Sequence, residues 1–122
     1  MALNPKASSL GITGERIAEN YLKERGLQIL DRNWRIKEGE LDLVAHDCDH
    51  QIIFIEVKTR STAAFGDPLE SITREKALRI QRLALAWLAT HQRLGANYRI
   101  DVVGIVIGRS GEISLDHRKG VL

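Results

Sequence analysis

The sequence predicts an α/β domain, a mixed sheet covered by helices. Two apolar runs, residues 39–44 and 53–60, alternate with period two, as half-buried strands do. Residues 15–25 and 73–93 instead carry apolar side chains at helical spacing. A third strand signal, Tyr98–Ile107, is rich in Val and Ile and apolar on both faces. In chain order this gives helix, three strands, helix, strand, strand, which packs as a layered α/β sandwich.

Residues 1–10 read as a flexible arm and residues 11–122 as a single domain. Gly11-Ile12-Thr13-Gly14 punctuates the chain and offers Thr13 as an N-cap. The helix that follows has Ile17, Ala18, Tyr21 and Leu22 on one stripe, with Gly26 at its C′ position. Residues 27–36 alternate loosely and form the first strand. The next two strands read as a hairpin linked by residues 45–52. Residues 60–72, with Gly66-Asp67-Pro68, are a long loop. The second helix sets Ala77, Ile80, Ala84, Trp87 and Leu88 against Glu75, Arg79, Arg82 and Arg93, and Gly95 stops it. Gly108-Arg109-Ser110-Gly111 turns into a short last strand over residues 112–115.

Composition narrows the function classes. No apolar run is as long as a membrane span, and the first residues lack the apolar core of a signal peptide. A single cysteine, Cys48, excludes an intramolecular disulfide, so a cytoplasmic location is expected. The net charge of +2 permits nucleic-acid binding. Two Phe, two Tyr and two Trp are too few for a single-strand binder built on stacked aromatic platforms.

The hairpin carries the chemistry. Period two places Glu40 and Asp42 on one face of its first strand, and Glu56 and Lys58 on one face of its second. With the turn centred near Asp49, Asp42 lies opposite Glu56 and Glu40 opposite Lys58. Like charges opposed across a ladder are destabilising. Such an arrangement calls for a cation between the acids, either Lys58 or a hard divalent metal bound through carboxylate oxygen. The alternative, a solvated sheet face with a Glu40–Lys58 salt bridge, leaves Asp42 facing Glu56 unexplained. Asp101 reads as a strand-edge charge, Asp47-Cys48-Asp49-His50 as turn chemistry, and His91 and His117 as surface residues.

An acid on one strand followed by acid-x-Lys on the next resembles the PD-(D/E)XK nucleases, in Asp42 and Glu56-Val57-Lys58. Leu41 stands where the name-giving proline would be. Gly14-Glu15, Gly39-Glu40-Leu41-Asp42-Leu43, Phe54 to Arg60, Phe65-Gly66-Asp67-Pro68 and Asp101-Val102-Val103 together resemble the YraN family of small bacterial proteins, similar to Holliday-junction resolvases. The resemblance runs from Gly11 to about Ile107. It implies a restriction-endonuclease-like fold with an α-β-β-β-α-β core. It also implies a DNA endonuclease that uses Mg²⁺ or Mn²⁺, acts on DNA that is branched, and pairs as a homodimer in the manner of resolvases.

On that resemblance Asp42 and Glu56 are the main metal ligands and the Val57 carbonyl a third. Lys58 orients the attacking water or neutralises developing charge, and Glu40 holds a second metal or acts through a water. Glu15 corresponds to the first-helix acid that resolvases bring to the metal; its other reading is an acid favoured by a helix N-terminus. Arg60, Arg74, Lys76, Arg79 and Arg82 would track phosphates, or for the helix members form a solvated face. Two rival functions remain: a non-catalytic nucleic-acid-binding module, and an accessory protein acting through protein partners.

Overall fold

The computed structural model describes residues 5–61 and 72–121, with side chains described from residue 10 onward in the first helix. The elements are α1 (Pro5–Glu24), β1 (Gln28–Ile36), β2 (Gly39–His46), β3 (Ile52–Arg60), α2 (Arg74–Thr90), β4 (Tyr98–Ile107) and β5 (Ile113–Arg118). The five strands form one sheet in the order β1-β2-β3-β4-β5. β3 and β4 are parallel, joined through α2, and the other neighbours are antiparallel. This is the expected mixed-sheet α/β fold, with helix, three strands, helix, strand and strand in the expected order.

Alternation along the central strands sends side chains to two cores. Ile53, Ile55, Val103 and Ile105 pack with Ala18 and Leu22 of α1 on one face. Ile52, Phe54 and Ile100 pack with Ile80, Ala84, Trp87 and Leu88 of α2 on the other. Burying both faces of β3 and β4 explains why their sequences read as nearly continuous apolar runs.

Several boundaries depart from the sequence reading. α1 begins at Pro5 and runs through Gly11 and Gly14, where a turn and an N-cap at Thr13 were expected; of the expected arm, residues 1–4 lie outside the described residues. Each interior glycine costs a helix only about 1 kcal/mol. Gly14 has a packing reason as well, because a Cβ there would collide with the Thr59 side chain on β3. The helix ends as expected: Gly26, at φ 87, donates to Lys23 O and Leu27 donates to Leu22 O, a Schellman arrangement.

The hairpin link is shorter than expected, because β2 extends to His46 and β3 starts at Ile52. Thr73 caps α2 by accepting from Lys76 N at 3.1 Å. That helix stops at Thr90, before Gly95, because Gln92 adopts the left-handed φ 57 and the Arg93 N–H turns back to Leu88 O at 2.8 Å. β5 runs to Arg118, beyond the expected residue 115. The expected loop at 60–72, including Phe65-Gly66-Asp67-Pro68, lies mostly outside the described residues; β3 continues through Arg60.

Candidate active site

The β2–β3 ladder pairs residues from Leu43↔Ile55 to His46↔Ile52. One further step at the same offset puts Asp42 opposite Glu56, as the turn centre predicts. There the ladder gives way to a side chain: the Val57 N–H donates to Asp42 Oδ2 at 2.8 Å. Alternation also slips at this point. Leu41 and Val44 both pack into the α2 core, although strict period two sends them to opposite faces. Asp42 thus sits where two strands part.

Carboxylates from α1 and β2 meet at this gap. Glu15, Glu40 and Asp42 each offer an oxygen, all within 4.8 Å of one another. Asn33 of β1 binds two of them. With its amide nitrogen turned to the acids, the orientation that satisfies both of its ends, it donates to Glu15 Oε1 at 2.8 Å and Glu40 Oε1 at 3.1 Å. Arg35, the cross-strand partner of Glu40, holds that residue's other oxygen, with Nε at 3.0 Å. The salt bridge of Glu40 is therefore with Arg35, and the Glu40–Lys58 bridge of the solvated-face reading is not formed. Arg35 wins because it lies directly across the β1–β2 ladder, whereas the β2–β3 ladder ends before Glu40.

The electrostatics follow from burial and crowding. Desolvation, then the Asp42 charge and a hydrogen bond with Asp42, push Glu56 up to about 8, against a smaller opposing effect of Lys58. Glu15 is also raised, first by burial and then by Asp42, while Asn33 works against the rise. The donors here are all carboxylate oxygens, with Lys58 alongside. A hard divalent cation fits that set, and it would relieve the two opposed acids, Asp42 and Glu56.

A cleft of about 240 Å³ opens at this point between the sheet and α2. It is lined by Glu40, Asp42, Glu56 and Lys58 on one wall and by Lys76, Arg79, Ile80 and Leu83 on the other. Lys76 and Arg79 are thus brought to the acids. Arg82 instead lines an adjoining groove with Ile36, Glu38 and Glu75. Arg74 is exposed at the start of α2 and lines neither. Arg60 ends β3, its Nε buried and without a hydrogen-bond partner among the described residues. Val57 contributes its N–H to Asp42, and no described contact engages its carbonyl with the acids.

Sequence reasoning missed Asn33 and Arg35. The signal for Asn33 was available, since asparagine inside a strand is disfavoured but tolerates a left-handed backbone, here φ 50. It also misread a second polar cluster. Asp101 is fully buried, and His117 is buried beside it, with Nε2 at 2.8 Å from Asp101 Oδ2 and Nδ1 at 3.0 Å from the Tyr21 hydroxyl. The strand-edge reading of Asp101 and the surface reading of His117 fail because β5 pairs along the edge of β4, His117 turns in between Asp101 and Tyr21, and Gly120 of the tail donates to Asp101. At the hairpin tip the turn reading agrees with the structure, where Asp47 Oδ1 accepts from Asp49 N and Gln51 N. No described helix is long and apolar enough to cross a membrane.

Proteins of known sequence bear on this architecture. A relative from Beutenbergia cavernae, described as a UPF0102 protein, is 47% identical over 93% of this chain and 95% of its own length. One from Mycolicibacterium smegmatis is 44% identical over 93% of each chain. Among solved structures, a repair endonuclease from Pyrococcus abyssi is similar at 18% identity and a TM-score of 0.44, over 88% of this chain and 39% of that one. That last likeness is slight and carries nothing about activity. The model of the family described as "Uncharacterised protein family UPF0102" matches residues 14–105, from the glycine against Thr59 to the last buried positions of β4, and the chain belongs to that family.

Proposed function

We propose that this protein is a divalent-metal-dependent DNA endonuclease of the resolvase kind, hydrolysing the phosphodiester backbone with little readout of base sequence. The observation that supports this reading most is the meeting of Glu15, Glu40 and Asp42 beside Glu56 and Lys58, at a cleft whose far wall carries Lys76 and Arg79. Mg²⁺ or Mn²⁺ bound there would supply a Lewis acid and a water made nucleophilic near neutral pH. Asp42, Glu56 and Glu15, with the Val57 carbonyl, are the groups that would hold it, and Glu40 completes the acidic set. Lys58 has a separate task, to orient the water and offset charge building on the phosphoryl oxygens. Lys76 and Arg79 would grip the backbone beside the scissile phosphate, with Arg60, Arg74 and Arg82 extending the track. Such contacts are electrostatic and indifferent to sequence. A homodimer would present two clefts to the two strands of a branched substrate.

The test is a cleavage assay on linear, nicked, flapped and four-way DNA with Mg²⁺ or Mn²⁺, alongside single-stranded RNA. Cleavage of branched DNA is expected, abolished by chelation and in Asp42→Ala, Glu56→Ala and Lys58→Ala, with Lys58→Ala still binding metal. Undiminished cleavage by Glu56→Ala would overturn the assignment. Tight binding without cleavage of any substrate would favour the non-catalytic binding module.

A further inference from the structure

Asn33 lies inside β1, opposite Asp42 at the offset set by Arg32↔Leu43 and Trp34↔Leu41. Its φ of 50 is a left-handed conformation in the middle of a strand, which persists only where surrounding contacts hold it. The contacts are those of its amide, whose nitrogen donates to Glu15 Oε1 and Glu40 Oε1. The opposite orientation would set the amide oxygen against two carboxylates. Glu40 has a second anchor in Arg35. Glu15 has Asn33 as its hydrogen-bond partner among the described residues, and it also borders a separate groove of about 430 Å³, lined too by Ile12, Arg16 and Asn20.

We infer that Asn33 is a positioning residue: its amide ties the helix acid Glu15 to the strand acid Glu40 and so holds both against Asp42 as ligands for one hard cation. This rests on the reading of the acids as a cation site. Without the amide, repulsion from Asp42 and Glu40 drives Glu15 toward the groove, and a water replaces it at the ion.

Asn33→Gly separates the amide from the backbone, because glycine adopts φ 50 without steric cost. The probes are Mn²⁺ for affinity and Eu³⁺ for coordinated waters, counted from luminescence lifetimes in H₂O and D₂O. Leu85→Gly, which weakens α2 from its exposed side and lines neither the cleft nor the groove, is the control for lost stability. The expected result for Asn33→Gly is Mn²⁺ affinity lower by roughly 10-fold or more, the scale for an outer partner of a metal ligand, and at least one extra water on Eu³⁺. Leu85→Gly should match the wild type in both. If the wild type binds and Asn33→Gly equals it in affinity and water count, this inference is overturned alone. If the wild type takes up neither ion, the cation site falls and the inference with it.

Discussion

Asp101 on β4, fully buried, and Glu56 on β3, half-buried, are acids on neighbouring strands, one position out of register and on opposite faces of the sheet. Their surroundings differ in kind. Asp101 meets Arg99 Nε at 3.0 Å, Arg99 Nη2 at 3.3 Å, His117 Nε2 at 2.8 Å and Gly120 N at 3.0 Å. With the proton on Nε2, His117 donates to Asp101 while its Nδ1 accepts from Tyr21. That carboxylate is satisfied, and it ties α1, β4, β5 and the tail together. Glu56 instead faces another carboxylate, Asp42, with Lys58 the one cation acting on it. A buried acid with a full set of donors is a structural clamp; a half-buried acid set against another acid is, on the proposed function, the place for a cation.

The largest effect expected from this contrast is at the clamp. Asp101→Ala leaves Arg99 and His117 without their shared partner and should cost about 3–5 kcal/mol, the scale for breaking a buried ion pair from one side. Urea denaturation measures it, and a loss below about 1 kcal/mol would erase the distinction between the two acids.

Next in size is a pH effect at the cleft. Glu56 titrates near 4.5 in the unfolded chain and about 8 in the folded one, so between those values the native state holds a proton that the unfolded state has released. Its contribution to stability is fully present below about 4.5 and is lost as the pH rises toward about 8. In chelator, urea midpoints of the wild type should therefore fall over that window relative to Glu56→Gln, whose profile should be flatter. Parallel profiles would mean that Glu56 is not held neutral.

Smaller still is the change in Asp42→Asn without metal. The amide oxygen can still accept from Val57 N–H, and one of two opposed charges is gone. Stability should stay within about 1 kcal/mol of the wild type or rise, since surface and half-buried charge relief is worth that much at most. A fall well beyond that would make Asp42 a clamp like Asp101.

How far the sequence disclosed these two regions follows from where each partner comes from. The Asp42–Glu56 opposition was legible because a hairpin register depends on local alternation and one turn. The β4 strand was legible from its run of Val and Ile. Asn33 left a signal only as an asparagine inside a strand, since no periodicity encodes its backbone angle, and Arg35 was hidden by the assumption that Glu40 pairs across β3 when its actual partner lies across β1. The Asp101 clamp needs Tyr21 and His117, which are brought together from the first helix and the last strand; only tertiary structure does that. The early start of α1 was concealed by Gly11 and Gly14, residues that usually punctuate a helix but here stay within it, Gly14 because Thr59 leaves no room for a Cβ.

The smallest expected effect lies on the basic wall. Arg79 lines the acid cleft, and Arg82 the groove beside it. Replacing both with Ala should lower the slope of log K against log salt for DNA binding by at most about 2, because each lost phosphate contact contributes about 0.9. Anisotropy titrations in Ca²⁺ give that slope, and an unchanged value would identify this part of α2 as solvated surface.

The central claim is that Asp42 and Glu56 are set against each other so that a cation can bind between them. Thermal melting with and without Mn²⁺, on wild type, Asp42→Asn and Asp101→Asn, tests it most directly, because an ion that binds only the native state stabilises it by mass action, by about 2.7 kcal/mol at 100 times Kd. The account predicts that Mn²⁺ raises the Tm of the wild type and of Asp101→Asn, the latter from a lower starting point, and leaves Asp42→Asn where it was. A wild type that does not respond to Mn²⁺, together with an Asp42→Asn protein that melts far below it in chelator, would contradict the claim and make both acids parts of the scaffold.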